Sequence, residues 1–332
     1  MFSPSLIGTL SKIIKVFKIP QFTIGIPVYN RLDYFKETLK SVLNQDFTDF
    51  EIVIVDDFST DGTREYLDSL KDPRIKVFKN KENVGIVRNW KKCIEYATGK
   101  WFKFLMSDDL MFPYNLSILN ELINLFPTNN TIVVSGTGFT DFEKIKTYFT
   151  CDKPKIENPG QYLVDMDLII DRRKRFIQTW ANPAAYTLPA SDLKELLESE
   201  NYRIVESILG NTGHCVDYFL LYAVALKYKT MIEIDIPLYG IRYHETNLSK
   251  GYSRNLFYHL KGDRLVHYLL YNYKGIENFY IIRHAFKVYI HKIKNKREIL
   301  TLSFILKAFQ LIGFIFYHFF LTLKNIFKIN GK

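Results

Sequence analysis

The stretch Phe104-Leu105-Met106-Ser107-Asp108-Asp109 limits what this chain can become more than any other. An apolar run over residues 101–106 stops there abruptly at two adjacent carboxylates. Trp101, Phe102, Phe104 and Leu105 suit a buried strand, and a buried strand that ends in Asp-Asp delivers both charges to the carboxyl edge of its sheet. In open α/β sheets that edge is where ligands bind. Neighbouring side chains of an extended chain point in opposite directions, so one carboxylate can hold a divalent cation while the other reaches a ligand hydroxyl. Asp-Asp is also ordinary turn chemistry, so the pair by itself leaves both roles open.

The same pattern occurs earlier in the chain. A first strand over 22–27 closes at Pro27-Val28-Tyr29-Asn30, and a helical stripe of Tyr34, Phe35, Leu39, Val42 and Leu43 follows. A second strand over 50–55 runs into Asp56-Asp57. Ser59-Thr60-Asp61-Gly62-Thr63 then supplies turn and cap chemistry for a helix to about residue 70. The pattern continues with a strand at 74–78, a helix at 83–97 stopped by Gly99, the strand at 101–106, a helix at 114–126 and a strand at 131–135. Strands that are apolar at nearly every position and alternate with helices predict an α/β fold, a mainly parallel sheet covered on both faces. Two strands ending in Asp-Asp gather four carboxylates on one edge, which points to a polyhydroxyl ligand with a metal-bridged diphosphate.

Residues 137–180 carry no clear pattern, and the charge run 171–175 reads as a solvated face. Beyond it, Asn182-Pro183 breaks the chain before a strand at 184–188, and Ser191 starts a helix. A strongly apolar helix over 215–228 has Asp217 in its first turn, and strands near 231–234 and 238–243 follow. Three dispersed cysteines, Cys93, Cys151 and Cys215, form neither a disulfide framework nor a metal cage, and a reducing compartment fits them. Lys12, Lys15 and Lys18 interrupt residues 1–18, with no small-residue cleavage site before Pro20, so the expected location is cytoplasmic.

Four blocks, in order, carry a resemblance. They are Ile26-Pro27-Val28-Tyr29-Asn30, the run from Val55 through Asp56-Asp57 to Thr63, Asn83-Val84-Gly85 with Arg88-Asn89, and Ser107-Asp108-Asp109. Together they resemble the inverting family 2 glycosyltransferases of the GT-A fold, over roughly residues 21–250. The resemblance implies a nucleotide-binding half, 21–136, and an acceptor half, 137–254, of one domain. By its motifs, Pro27 and Tyr29 would line a base pocket, Asp57 would contact base or ribose, and Arg88 would lie near the donor, with a helix-surface cation as its other reading. Asp108 would meet the ribose or donor sugar, and Asp109 would hold Mn2+ or Mg2+. Ser107 stands at the first position of the family's Asp-x-Asp motif.

The family's catalytic base usually sits in a Glu-Asp pair at a helix start. Here the matching residues are Val216-Asp217, so Asp217 alone would carry the role; a helix N-terminus favours its ionised form. Arg242-Tyr243-His244 resembles the segment that returns to the active site, and His244 is a candidate metal ligand or a surface histidine. Trp180 and Asn182 are placed on the acceptor side, with a buried core tryptophan as the alternative. The implied activity is transfer of one sugar from a nucleotide sugar, a UDP-sugar first among candidates. The acceptor would be a hydroxyl of a glycan or polyprenyl-linked glycan of the bacterial surface.

Residues 255–332 hold 13 Lys or Arg against three acids and so account for the whole net charge of +10. A neutral body argues against a nucleic-acid partner. Within the tail, 308–323 is a 16-residue stretch without a formal charge, short of the roughly 20 apolar residues that span a bilayer. Its basic and aromatic flanks suit helices lying on an anionic membrane, assisted by the amphipathic segment 1–20, and predict a peripheral protein on the inner face. A packed helical subdomain or a homo-oligomer interface is the alternative. Two rival functions are a sugar-phosphate nucleotidyltransferase and a catalytically silent membrane-bound scaffold; the first lacks its glycine-rich loop after strand one.

Overall fold

The structure, a computed structural model, describes residues 19–126, 131–136, 149–150, 152–157, 163–165, 182–210, 213, 215–242 and 244, with backbone alone for 131–136. The basic tail 255–332, residues 1–18, Cys151, Trp180 and most of 137–180 lie outside the described residues.

The first half of the sheet is built around β1 (Phe22–Val28), buried at all seven positions. It pairs in parallel with β2 (Phe50–Asp56) on one side and β4 (Trp101–Phe104) on the other, and β3 (Ile75–Lys79) extends the sheet past β2. A strand with neighbours on both sides and helices above and below has no wet face, which is why β1 and β2 are apolar runs rather than alternations. Three helices make the crossovers: α1 (Leu32–Leu43), α2 (Thr63–Ser69) and α3 (Ile86–Glu95). The first buries Phe35, Leu39 and Val42, one stripe at helical spacing. The Phe102 ring crosses β1 at Gly25, where an added Cβ would sit 2.5 Å from the ring. Only glycine admits that contact.

The second half departs from a simple parallel array. Antiparallel β8 (Tyr186–Pro189) joins β4 to β6 (Thr131–Gly136); β9 (Thr230–Pro237) then pairs with β6 in parallel, and β7 (Leu163–Asp165) closes the edge antiparallel. The full order is β3-β2-β1-β4-β8-β6-β9-β7. A separate two-stranded ribbon pairs β5 (Leu110–Met111) with β10 (Tyr239–Gly240), carrying the residues after 240 to the loop that follows β4. The remaining helices are α4 (Asn115–Leu125), α5 (Ala190–Glu198), α6 (Glu200–Leu209) and α7 (Val216–Ala225).

Several boundaries differ from expectation: the strand expected at 184–188 opens as a 3-10 turn, Pro183–Ala185, before β8, and three further differences have a local reason. The helix expected from residue 83 starts at Ile86, because the Val84 and Gly85 amides are spent on the Asp57 carboxylate. The helix beginning near 191 breaks at Ser199, whose extended backbone (ψ 152°) lets its hydroxyl accept the Tyr202 amide and cap α6. The strand expected at 238–243 pairs only at 239–240, and the Arg242 amide turns to the Asp109 carboxylate instead.

Candidate active site

The ends of β1 and β2 are stitched to each other before any ligand is considered. The Asp57 amide donates to the Val28 carbonyl (2.9 Å), the Asn30 amide to Ser59 Oγ (2.9 Å) and the Thr60 amide to Asn30 Oδ1 (2.7 Å). One turn further on, Asp61 accepts the Leu32 amide (3.0 Å) and the Thr63 amide (3.1 Å). Asn30 and Phe58 take positive φ values, 50° and 67°, to make this junction. Pro27 is buried within β1, while Tyr29 just beyond it is 48% exposed at the carboxyl edge.

Asp57 is buried and already occupied. Its Oδ1 accepts the Val84 amide (2.8 Å) and Asn80 Nδ2 (2.9 Å), its Oδ2 accepts the Gly85 amide (3.0 Å), and its carbonyl accepts Asn83 Nδ2 (3.2 Å). A carboxylate has about four acceptor sites, so a ligand would find about one free, on Oδ2. The Asn83-Val84-Gly85 block is thus a loop tied down by the strand-end acid, with Gly85 at φ 85° turning the chain into α3. On α3, Asn89 donates to the Val55 carbonyl (3.0 Å). Arg88 Nε meets Glu206 Oε1 of α6 at 3.2 Å on an exposed flank, a contact that fits its reading as a helix-surface cation. Gly85 also lies close to the end of α6: a Cβ added there would sit 3.7 Å from the Gly210 carbonyl oxygen.

At the end of β4 the two carboxylates divide. Asp109 is 3% exposed; it accepts the Arg242 amide (3.3 Å) and a hydrogen bond from the Asn182 side chain. Burial, reinforced by the Asp108 charge, holds its carboxyl well above the usual carboxylate range, against the pull of Arg242 and Asn182. The Asp109 amide bonds back to the Met106 carbonyl (3.0 Å), a turn that aims its side chain inward and leaves Asp108 outward. Asp108 Oδ2 lies 3.1 Å from His244 Nε2, and the imidazole stacks on Tyr34 (4.5 Å between centroids). Of the two carboxylates, Asp108 is the one beside His244, while Asp109, expected to hold a metal, faces the Arg242 amide and Asn182, the latter expected on the acceptor side.

Arg242 holds this arrangement together and had no role in the sequence reading. Its guanidinium pairs with Glu37 Oε2 (2.6 Å) and donates to the Tyr34 carbonyl (2.7 Å), Thr38 Oγ1 (2.9 Å) and the Asp108 carbonyl. One 5%-exposed side chain thereby clamps α1 to the Asp108-Asp109 turn. Its place two residues before a candidate ligand was the available signal, since only arginine offers five donors in a rigid fork.

Asp217 stands in the first turn of α7, behind Cys215 at φ 60°. After burial, the Asp217 charge is the next cause that pushes the Tyr186 phenol up, so the carboxylate lies in the neighbourhood of that phenol, at the start of β8. Four residues earlier on that segment is Asn182, in contact with Asp109. A short piece of chain, 182–186, therefore connects the candidate base to the carboxylate pair.

Asp108 and His244 suit a divalent cation. Octahedral ligands at about 2.1 Å from a cation lie about 3.0 Å from one another, and the two ligand atoms here are 3.1 Å apart. A carboxylate oxygen with an imidazole nitrogen fits Mn2+, the other positions being left to phosphate and water. Among the described residues no cluster of three such side chains occurs.

Residues 23–182 match the model of Glycosyl transferase family 2. The chain is 42% identical over 92 residues to a putative teichuronic acid biosynthesis glycosyltransferase of Bacillus subtilis, covering 27% of this chain and 36% of that protein. It is 34% identical over 109 residues to a GalNAc(5)-diNAcBac-PP-undecaprenol β-1,3-glucosyltransferase of Campylobacter jejuni, covering 32% and 35%. These matches span about a third of each relative's length. Residues 1–349 of S. aureus TarS, solved in complex with UDP-GlcNAc, superpose with a TM-score of 0.56 at 18% identity, over 82% of this chain and 73% of that one, a likeness of fold. The likeness to glycosyl transferase family 2 thus runs through residues 23–182, just under half of the chain, and the fold is GT-A.

Proposed function

We propose that the protein transfers a single sugar from a nucleotide-sugar donor to a hydroxyl of a bacterial surface-glycan acceptor, with inversion at the anomeric carbon. The observation that carries this reading is the convergence on one sheet edge of the Asp57-held loop, the Asp108–His244 pair and, through 182–186, Asp217. A UDP-sugar is the donor favoured by the likeness to a chain solved with UDP-GlcNAc. A polyprenyl-linked acceptor is suggested by the name of the Campylobacter relative.

In this reading Tyr29, exposed beside the Asp57 loop, offers a face to the nucleobase, and the remaining acceptor site of Asp57 takes one base or ribose donor. Asp108 and His244 would hold Mn2+ or Mg2+, which supplies neutralisation of the charge that grows on a leaving diphosphate. Asp217 accepts the proton of the attacking hydroxyl from the opposite side. It stands in the first turn of α7, where the helix N-terminus favours a negative charge. Arg242 and Asn182 fix Asp109, and with it the turn that presents Asp108.

No helix among the described residues is long and apolar enough to cross a membrane. We assign contact with an anionic membrane to the basic tail 255–332, on its charge and aromatic content.

The test is nucleotide-sugar hydrolysis by the full chain with UDP-, GDP- and dTDP-sugars, with Mn2+ and after chelation. The expected result is metal-dependent turnover of one nucleotide class. Hydrolysis of none, with no thermal stabilisation by any of them, would overturn the assignment.

A further inference from the structure

We propose that Lys103 is a positioning residue: from inside the sheet it holds the 182–185 turn, and through Asn182 the Asp109 carboxylate, so that Asp108 and His244 stay paired. The proposal rests on the reading of that pair as part of the donor site.

Lys103 lies in β4, between Ile24 of β1 and Thr187 of β8, and is 0% exposed. Its amine donates to the carbonyl of Ala184 and lies 5.8 Å from the centroid of the Tyr239 ring. Each contact is to a different segment that supplies the site. Its own strand runs into Ser107-Asp108-Asp109. Ala184 sits in the one-turn 3-10 helix Pro183–Ala185, capped by Asn182, which touches Asp109. Tyr239 opens the ribbon that leads to Arg242 and His244.

Pro183, Ala184 and Ala185 have no polar side-chain atoms, and two internal bonds, Ala184 amide to Asn182 Oδ1 (2.8 Å) and Ala185 amide to the Asn182 carbonyl (2.9 Å), close the turn. The bond from Lys103 ties it to the sheet. Without that bond the Ala184 carbonyl is buried with no partner, and a turn free to relax takes Asn182 away from Asp109. A methionine would fill the same strand position without a buried amine, whose burial lowers its pKa to about 7. A buried amine in mid-sheet is held at a cost in stability, and the contacts to all three site segments are what it provides in return.

The experiment compares wild type, Lys103→Met and Lys103→Gln as full chains. Three readouts are taken: thermal unfolding, Mn2+ affinity in the presence of UDP by electron paramagnetic resonance, and hydrogen exchange of peptides covering 182–186 and 101–104. Lys103→Met is expected to unfold at a higher temperature, bind Mn2+ about tenfold more weakly and exchange about tenfold faster at 182–186, with 101–104 unchanged. Lys103→Gln, which keeps an N–H donor on a similar stem, is expected to stay within about threefold of wild type in affinity and exchange. A Lys103→Met protein with unaltered affinity and exchange would overturn the proposal, as would a Lys103→Gln protein that behaves like Lys103→Met. If wild type binds no Mn2+ with UDP, the donor-site reading fails, and exchange at 182–186 alone decides whether Lys103 anchors the turn. Should Lys103→Met not fold, loss of protection at 182–186 in Lys103→Gln would count against the role and retained protection would support it.

Discussion

Replacing Lys103 by methionine should stabilise the protein, by an amount that depends on pH. Burial lowers the amine from 10.5 to about 7, and at 1.36 kcal/mol per tenfold in proton affinity this is a penalty of about 5 kcal/mol. Between about pH 7 and 10.5 the unfolded chain holds this proton and the folded chain does not. Folding therefore releases a proton, and the lysine's penalty shrinks as pH rises; below about 7 it is present in full. Methionine removes the penalty but strands the Ala184 carbonyl, a loss of about 1–3 kcal/mol that does not vary with pH. The net gain is thus about 2–4 kcal/mol near pH 6.5, falling by about 3 kcal/mol towards pH 9.5 as the lysine penalty fades. Urea denaturation of both proteins at matched pH values reads this difference directly, because every other titrating group cancels between them. A stability difference flat to within about 1 kcal/mol over that range would refute the reasoning.

The remaining predictions address the site. Asp108→Ala or His244→Ala should abolish Mn2+ binding seen by calorimetry in the presence of UDP, while Asp109→Asn should retain it within about tenfold; the opposite ranking would return the metal to Asp109. Asp217→Asn should leave UDP affinity intact and lower turnover by about 10² or more, and near-normal turnover would remove Asp217 from the mechanism. Asp57→Ala deprives the Val84 and Gly85 amides and Asn80 of their acceptor and should destabilise the protein by about 2–4 kcal/mol, measured as a fall in urea midpoint. Arg88→Ala breaks an exposed pair with Glu206 and should change stability by less than about 1 kcal/mol and UDP affinity hardly at all.

The nucleotide-binding half was legible in the sequence because its signals are local. Phe50 to Val55 is apolar at five of six positions because both sheet faces are covered, and α1 shows Phe35, Leu39 and Val42 at helical spacing because only one face packs. What the sequence did not disclose depends on distant contacts. That Asp109 rather than Asp108 turns inward follows from a four-residue turn and from donors at 182 and 242. The Arg242 clamp reaches back to Glu37 and Tyr34, more than two hundred residues away, by way of a two-residue ribbon too short to show periodicity. Lys103 lies within a run that reads as apolar, and nothing nearby in the chain announces the Ala184 carbonyl it meets. Arg88 was drawn to the donor by its motif, but its partner lies on α6, outside the motif blocks.

The tie between Asp57 and the start of α3 has an electrostatic consequence. Two amides leading into that helix, which would otherwise form a ready cradle for an incoming phosphate, face a carboxylate belonging to the protein itself. The cradle is filled from within, and a second anion brought to the same place would meet repulsion instead of a dipole. A pyrophosphate settling on this edge would then need its counter-charge from elsewhere, which is the part the proposed cation at Asp108 and His244 would play.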